Sequence, residues 1–426
     1  MILKLYSWLL TLARPLLRAK LRRRGSDEPG YLEAVEERFG RYTTPSGTGW
    51  VWLHAVSLGE TRAAAMLVER LREAMPGMRL LLTHGTATGR AEGARLLQPG
   101  DMQAWLPWDT EPVVDRFLSH FRPQVGILME TEVWPVLASR CKARGVPLVL
   151  ANARLSAKSL QQAERLGWLS LPAYRSLTAV WAQSVDDAER FARLGARVAG
   201  VYGNLKFDAE PDASQLAAGR AWRAAACKPV VMFASSREGE EALWLDQVLA
   251  YKDAGAVQWL VVPRHPQRFD DVAALMAQRG MAVSRRSAWG DAPPTASPPA
   301  TVTWLGDSLG EMARYYGAAH VALLGGSFEP LGGQNLIEAA ACGCPVVMGP
   351  STFNFADAAA LALEAGAAQQ VASMQQGVAA AIALAANPLR QEAMARSGVR
   401  FAAEHRGAAL KTARAIAQLV SAPGLR

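Results

Sequence analysis

The stretch from His320 to Met348, HVALLGGSFEPLGGQNLIEAAACGCPVVM, reads as a strand, a glycine turn, a helix and a second strand. Apolar Val321 to Leu324 breaks at Gly325, Gly326 and Ser327. Gly332 and Gly333 then lead into a helix carrying Asn335 and Glu338, and Pro345 to Met348 is apolar again. Glycine lets a backbone come close to a phosphate, and the free N–H groups at a helix start attract its charge. Glu338, about one turn further in, is placed for a pair of ribose hydroxyls. The same residues also make an ordinary tight strand-to-helix turn with a surface glutamate, so the rest of the chain must give the motif its meaning.

Outward from this unit the alternation continues. Val230 to Ala234, Trp259 to Val262 and Val302 to Leu305 are short apolar runs with helical patterns between them. An earlier series repeats the scheme: Val51 to His54, Leu80 to Thr83, Val125 to Met129, Pro147 to Ala151 and Ala179 to Ala182, with the polar, alanine-rich stretch 208–228 separating the two. Such alternation predicts an α/β protein with two parallel sheets, each covered by helices on both faces. Two doubly wound halves imply a cleft for ligands between them. Ala292 to Ala300, APPTASPPA, is too proline-rich for a regular element and is expected as an exposed loop.

A chain of 426 residues, half of them hydrophobic and 20% charged, is folded and has room for two or more cores. Cys141, Cys227, Cys342 and Cys344 form no C-x-x-C pair, which points to reduced thiols in the cytoplasm. The net charge of +8 favours an acidic partner. No helix-turn-helix, zinc-finger or RNP-like pattern accompanies it, so nucleic acid is not expected.

The first residues suggest a lipid surface instead. Lys4, Ser7, Thr11, Arg14, Arg18 and Arg22 recur at helical spacing, and leucines, Tyr6 and Trp8 fill the positions between. That spacing stacks the polar groups on one narrow face. Lys4 and Arg14 interrupt any spanning run and Pro15 kinks it, so a helix lying in the interface is expected. Lys20, Arg22, Arg23 and Arg24 follow, a cluster drawn to anionic headgroups on the cytoplasmic side.

Several turns can carry chemistry. Ser57-x-x-Glu60, Ser235-x-x-Glu238 and Ser308-x-x-Glu311 each read as a capping box. Only Glu60 follows the first strand of the first half, beside the small Gly59, where a carboxylate can act as general base toward a hydroxyl. Glu130 and Glu132, in ETEVWP, favour a helix start and are also candidates to touch substrate. In VPRHPQRF, two prolines hold Arg264 and His265 at a strand end, where arginine can fork onto a phosphate. Arg154 in NARLS and Lys206 in GNLKFD are further anion candidates. The six histidines are scattered and suggest no metal site.

Taken together and in order, HAVSLGE (His54 to Glu60), ETEVWP, NARLS, GNLKFD, SSREGEE (Ser235 to Glu241), VPRHPQRF, GDSLGEM, GGSFEPLGGQNLIEAAA and MGPSTFNF resemble the 3-deoxy-D-manno-oct-2-ulosonic acid (Kdo) transferases of Gram-negative lipid A assembly. The likeness covers nearly the whole chain. It implies a GT-B fold of two Rossmann-like domains facing a cleft, with a membrane-associating N-terminal helix. The residues divide accordingly: 1–24 for that helix, 25–207 for an acceptor-binding domain, 208–228 for a linker, 229–400 for a nucleotide-sugar domain, and 401–426 for a C-terminal helix and tail.

The resemblance further implies an inverting transfer of Kdo from CMP-Kdo to a phosphorylated, acylated glucosamine disaccharide, the lipid A precursor, with no metal and no cofactor. It gives Glu60 the role of general base. It assigns donor binding to the turns holding Ser235, Ser236, Arg264, His265, Gly326, Ser327, Gly333, Asn335 and Glu338. The expected location is the cytoplasmic face of the inner membrane; no oligomeric state is specified. Two departures stand out, since family members commonly have Thr-His at Ser236-Arg237 and His at Gln334. Two other readings share parts of the pattern. A non-hydrolysing epimerase of the same architecture has no evident use for the basic N-terminus, and a non-catalytic membrane-docking module has none for Glu60.

Overall fold

A computed structural model describes residues 2–290 and 302–422. The proline-rich stretch from Ala292 to Ala300 lies outside the described residues. The chain divides into two compact units: one runs to Asp208 and resumes at Arg406, and the other spans Ala209–His405.

In the first unit, helices α1 (Ile2–Leu12) and α2 (Arg14–Asp27) precede the strand β1 (Trp50–His54) and helix α3 (Leu58–Ala74). Then come β2 (Arg79–His84), β3 (Met102–Trp105), β4 (Pro123–Met129), α4 (Pro135–Ala143), β5 (Leu148–Ala153), α5 (Ala157–Arg165), α6 (Gly167–Tyr174), β6 (Ala179–Ala182) and β7 (Val198–Val201). The strands form one parallel sheet in the order β3-β2-β1-β4-β5-β6-β7. The central strands are apolar along their length because helices cover both faces, as β1, buried at every residue, illustrates.

The second unit begins with α7 (Ala213–Ala225), β8 (Val230–Ser236) and α8 (Glu240–Ala250). It continues with β9 (Gln258–Pro263), β10 (Ala282–Arg285), β11 (Val302–Leu305), α9 (Met312–Ala318), β12 (Val321–Leu324), α10 (Leu336–Ala341), β13 (Val346–Met348) and β14 (Ala368–Gln370). Its parallel sheet runs β10-β11-β9-β8-β12-β13-β14. The last helix, α11 (Ala408–Ser421), returns to pack on α3 of the first unit.

Both parallel sheets follow the expectation, and one boundary differs from it. Stretch 208–228 is not a linker. It holds α7, which packs so tightly on α9 that a Cβ at Gly219 would lie 2.0 Å from the Arg314 carbonyl oxygen. The C-terminal helix expected within 401–426 is present as α11 and belongs to the first unit, where Ala408, Ala409, Ala413 and Ile416 are buried against α3.

The N-terminal segment is two helices, broken at Ala13, where Pro15 has no N–H to continue the ladder. Part of its polar face is turned inward, whereas Lys4, Thr11 and Arg22 stay exposed. Ser7 is buried and its Oγ accepts from the N–H of Glu111 at 2.8 Å, while Leu3 and Tyr6 pack on the core. Arg14 and Arg18 lie over the Phe39 ring at 4.6 and 4.1 Å. The apolar face points out, with Leu5, Trp8, Leu9, Leu12 and Leu16 exposed. No described helix is long and apolar enough to cross a membrane.

Candidate active site

Doubly wound sheets bind ligands beyond the carboxyl ends of their strands, where the strand order reverses. In the first unit that point lies between β1 and β4. Glu60 comes two residues into α3, directly after β1, and Glu130 directly after β4.

The turn after β1 is built to hold Glu60. Ser57 caps α3, accepting from the Glu60 N–H at 3.4 Å, and donates its hydroxyl to Glu60 Oε1 at 3.0 Å. Glu60 Oε2 accepts from the N–H of Val56 at 2.9 Å, so the carboxylate reaches one residue further back than a capping box on Ser57 would. Burial pushes its carboxyl up to about 7, with the charges of Glu130 and Glu132 adding to the shift and the bonds from Val56 and Ser57 opposing it. A carboxylate of that basicity suits proton abstraction near neutral pH. Glu130 has φ +56, a left-handed conformation rare outside glycine, held by its N–H on Ala151 O and its own carbonyl on Arg154 N–H. Glu132 accepts from the indole of Trp134 at 3.0 Å, and burial raises its carboxyl as well.

Three further groups support this edge. His54 and His84, at the ends of β1 and β2, are fully buried, and burial lowers them to about 3 and 4, so both are neutral. Each bonds through Nδ1, His54 to Thr83 O and Oγ1 and His84 to Ala55 O, which fixes the strand ends ahead of the turn that leads to Glu60. Asp109 is buried and receives the N–H groups of Val136 and Leu137 at the start of α4 and the hydroxyl of Tyr6 on α1. Asn152, also at positive φ, accepts the N–H of Leu205 on its Oδ1 and so ties the turn of Lys206 to the end of β5, beside Arg154. The structure thus brings Glu60, Glu130 and Glu132 together, with Arg154 just after β5 and Lys206 in the turn after β7.

In the second unit the order reverses between β8 and β12. There the backbones meet: a Cβ at Gly325 would lie 2.3 Å from the Ser235 carbonyl oxygen, which is the reason for glycine. The glycine N–H groups, expected to cradle phosphate, are largely taken by the protein. Gly326 donates to Glu240 Oε2 at 2.6 Å and Phe328 to Glu240 Oε1 at 3.0 Å, while Gly333 donates to the Gly326 carbonyl. Ser327 is buried, donating to Leu324 O and accepting from Gly349 N–H. Asn335 caps α10 by accepting from Ile337 N–H, Glu338 follows in that helix, and the Gln334 side chain lies against Gly326.

Two expected capping boxes are absent here. Ser235 has φ +55 and α8 starts only at Glu240, so Glu238 caps nothing and instead pairs with Arg237 at 3.0 Å. Glu311 is itself the N-cap residue of α9 and binds Ser308, Arg286 and Arg314. The residues that organise the site were not singled out from the sequence. Buried Glu240 accepts from Arg237, Gly326 and Phe328, joining two loops. Glu241 takes a bidentate pair from Arg268 at 2.6 and 3.0 Å and the Ser236 hydroxyl at 2.8 Å. Arg264 donates its N–H to Ser236 O, so the β9 turn sits directly beside the β8 turn. Burial lowers His265, and the nearby cations Arg237, Arg264 and Arg268 lower it further against the opposing charge of Glu238.

Residues 33–209 match the model of the family described as 3-Deoxy-D-manno-octulosonic-acid transferase (kdotransferase). The chain is 46% identical to the 3-deoxy-D-manno-octulosonic acid transferase of Bordetella pertussis over 85% of each chain. It is 30% identical to that of Haemophilus influenzae over 95% of each. Among solved structures, Anabaena HepE in complex with UDP superposes with a TM-score of 0.56 at 16% identity, covering 88% of this chain and 100% of that one. UDP-GlcNAc 2-epimerase from Neisseria meningitidis gives 0.55 at 13% identity, covering 87% and 98%. At such identities these two speak for the shared GT-B fold alone.

Proposed function

This chain belongs to the 3-deoxy-D-manno-octulosonic acid (Kdo) transferase family, and from that premise we propose how it moves Kdo from CMP-Kdo to a lipid A precursor in lipopolysaccharide synthesis. The observation that carries the mechanism is Glu60: a half-buried carboxylate at the switch point of the first sheet, with a carboxyl held near 7. Glu60 takes the proton from the acceptor's primary hydroxyl as that oxygen bonds to the anomeric carbon of Kdo. The bond from that carbon to the CMP phosphate oxygen breaks, and CMP leaves with the electron pair. Attack from the face opposite the leaving group inverts the centre. Glu130 and Glu132 keep the base from being too acidic, and Arg154 and Lys206 serve the acceptor's anionic groups.

The second unit holds the donor through Ser235, Ser236, Arg264, His265, Gly326, Ser327, Gly333, Asn335 and Glu338. Within that set, Gly326, Ser327 and Gly333 shape the loop, while Arg264, helped by Arg237, neutralises phosphate. The outward apolar face of α1 and the exposed cations of α2 dock the enzyme on the cytoplasmic face of the inner membrane, where its acceptor resides.

The test is Glu60→Gln. The amide retains the shape of the cap but takes no proton, so transfer from labelled CMP-Kdo at saturating donor and acceptor should fall roughly 10² to 10⁴-fold with CMP affinity unchanged. Transfer within a few-fold of wild type would return Glu60 to the role of helix cap and move the base to Glu130 or Glu132.

A further inference from the structure

The chain has 13 tryptophans, and only Trp8 and Trp168, at 59% and 54% exposure, are exposed. They lie on α1 and α6, helices that pack on one another. Helix α6, GWLSLPAY, contains no charged residue, and Leu166 just before it is also exposed. One side of α6 serves the core through Leu171, Ala173 and Tyr174. The other presents Leu166, Trp168 and Pro172 to the outside. Its Ser170 hydroxyl is satisfied locally, on the carbonyl oxygens of Ala163 and Leu166, and so does not need water.

The charged residues that flank α6 along the chain are mostly basic. Lys158, Arg165 and Arg175, in the segments on either side of α6, are exposed. The single acid of α5, Glu164, is paired with Arg193 at 2.7 Å. Indole rings favour the level of lipid headgroups, and lysine and arginine favour anionic headgroups beside them. A second copy of the chain fits less well, because an isologous contact here would oppose these cations to themselves.

We propose that Leu166 and Trp168 form a second apolar contact with an anionic lipid bilayer, beside that of α1. The proposal rests on the membrane docking of α1 put forward above and adds a geometric consequence. One helix lying in an interface leaves rotation about its own axis free, whereas a second contact on a packed neighbour fixes the first unit's orientation over the bilayer.

The experiment uses the full chain and vesicles of phosphatidylethanolamine with phosphatidylglycerol, comparing wild type, Leu166→Gln/Trp168→Ser and Trp8→Ser/Leu9→Gln by co-sedimentation. Melting curves first establish that both variants fold. Each pair should raise the lipid concentration for half-binding roughly tenfold, since each removes a comparable apolar contact. Brominated lipids should quench wild-type fluorescence more than that of Trp168→Phe. If only the α1 pair loses binding, and Trp168→Phe is quenched like wild type, the second contact is overturned while docking through α1 stands. If neither pair loses binding, both fall. A lipid-free dimer that the α6 pair turns into a monomer in sedimentation velocity would assign the patch to self-association and also overturn the proposal.

Discussion

Glu60 has an observed role and a proposed one: its carboxylate accepts the N–H of Val56 and the hydroxyl of Ser57, and the proposed mechanism makes it the base. The two roles pull against each other with pH. Folding lifts the carboxyl from the ordinary 4.5 to about 7, so between those values the folded chain binds more protons than the unfolded one. Stability from this group is therefore greatest below about 4.5 and declines as pH rises through 7. Activity runs the other way, rising through a midpoint near 7 as the base ionises. Thermal melts of wild type and Glu60→Gln from pH 5 to pH 8 should show the variant gaining on wild type with increasing pH; a difference that does not change with pH would count against the raised carboxyl. Glu60 was legible in the sequence because Ser57-x-x-Glu60 directly follows a buried strand. Glu240 was not: it is one of three glutamates in SREGEE, and only the positive φ of Ser235 and the late start of α8 turn it under the glycine loop.

Elements were readable in proportion to their burial. The central strands are continuous apolar runs and were expected, whereas β3, β7, β10 and β14 were missed, and these are the four sheet edges. Each is three or four residues long with mixed exposure, so neither a buried run nor a clean alternation marks it. The same scale explains how the donor loops keep their shape. Glu240→Ala would leave the N–H groups of Arg237, Gly326 and Phe328 without their acceptor, at roughly 1 to 3 kcal/mol for each that stays buried. Calorimetry should then show CMP binding at least tenfold weaker together with a lower melting temperature. Arg264→Ala should weaken CMP binding with a much smaller effect on melting, and Lys should restore it only in part because it lacks the bidentate fork. Equal CMP affinity in wild type and Arg264→Ala would remove Arg264 from the donor site. For α1, surface substitutions are the cleaner probe than deletion. Removing it would also take away Tyr6 and Ser7, which bond Asp109 and the N–H of Glu111 in the core.

On the scale of the whole molecule, the chain closes the first unit with its last helix. Asp208, where the chain leaves that unit, accepts the N–H groups of Gly407 and Ala409, where it returns. Helix α11 then buries Ala408, Ala409, Ala413 and Ile416 against α3, the helix that carries Glu60. Sequence alone gave no sign of this, because an alanine-rich amphipathic helix fits either unit equally well by its pattern. The second unit, by contrast, is one continuous segment, Ala209–His405. Ending the chain after His405 should therefore harm the two units unequally. Transfer of Kdo should be lost and the first unit's melting transition lowered or abolished, with CMP affinity kept within a few-fold of wild type. Milder changes should grade the effect: Ile416→Ala costs about 2 to 4 kcal/mol as a buried large-to-small change, and Asp208→Ala about 1 to 2 kcal/mol as the loss of a helix-start acceptor. If truncation abolished CMP binding and transfer together while Ile416→Ala left melting unchanged, α11 would not be the closing element of the first unit, and the donor unit's independence would fail with it.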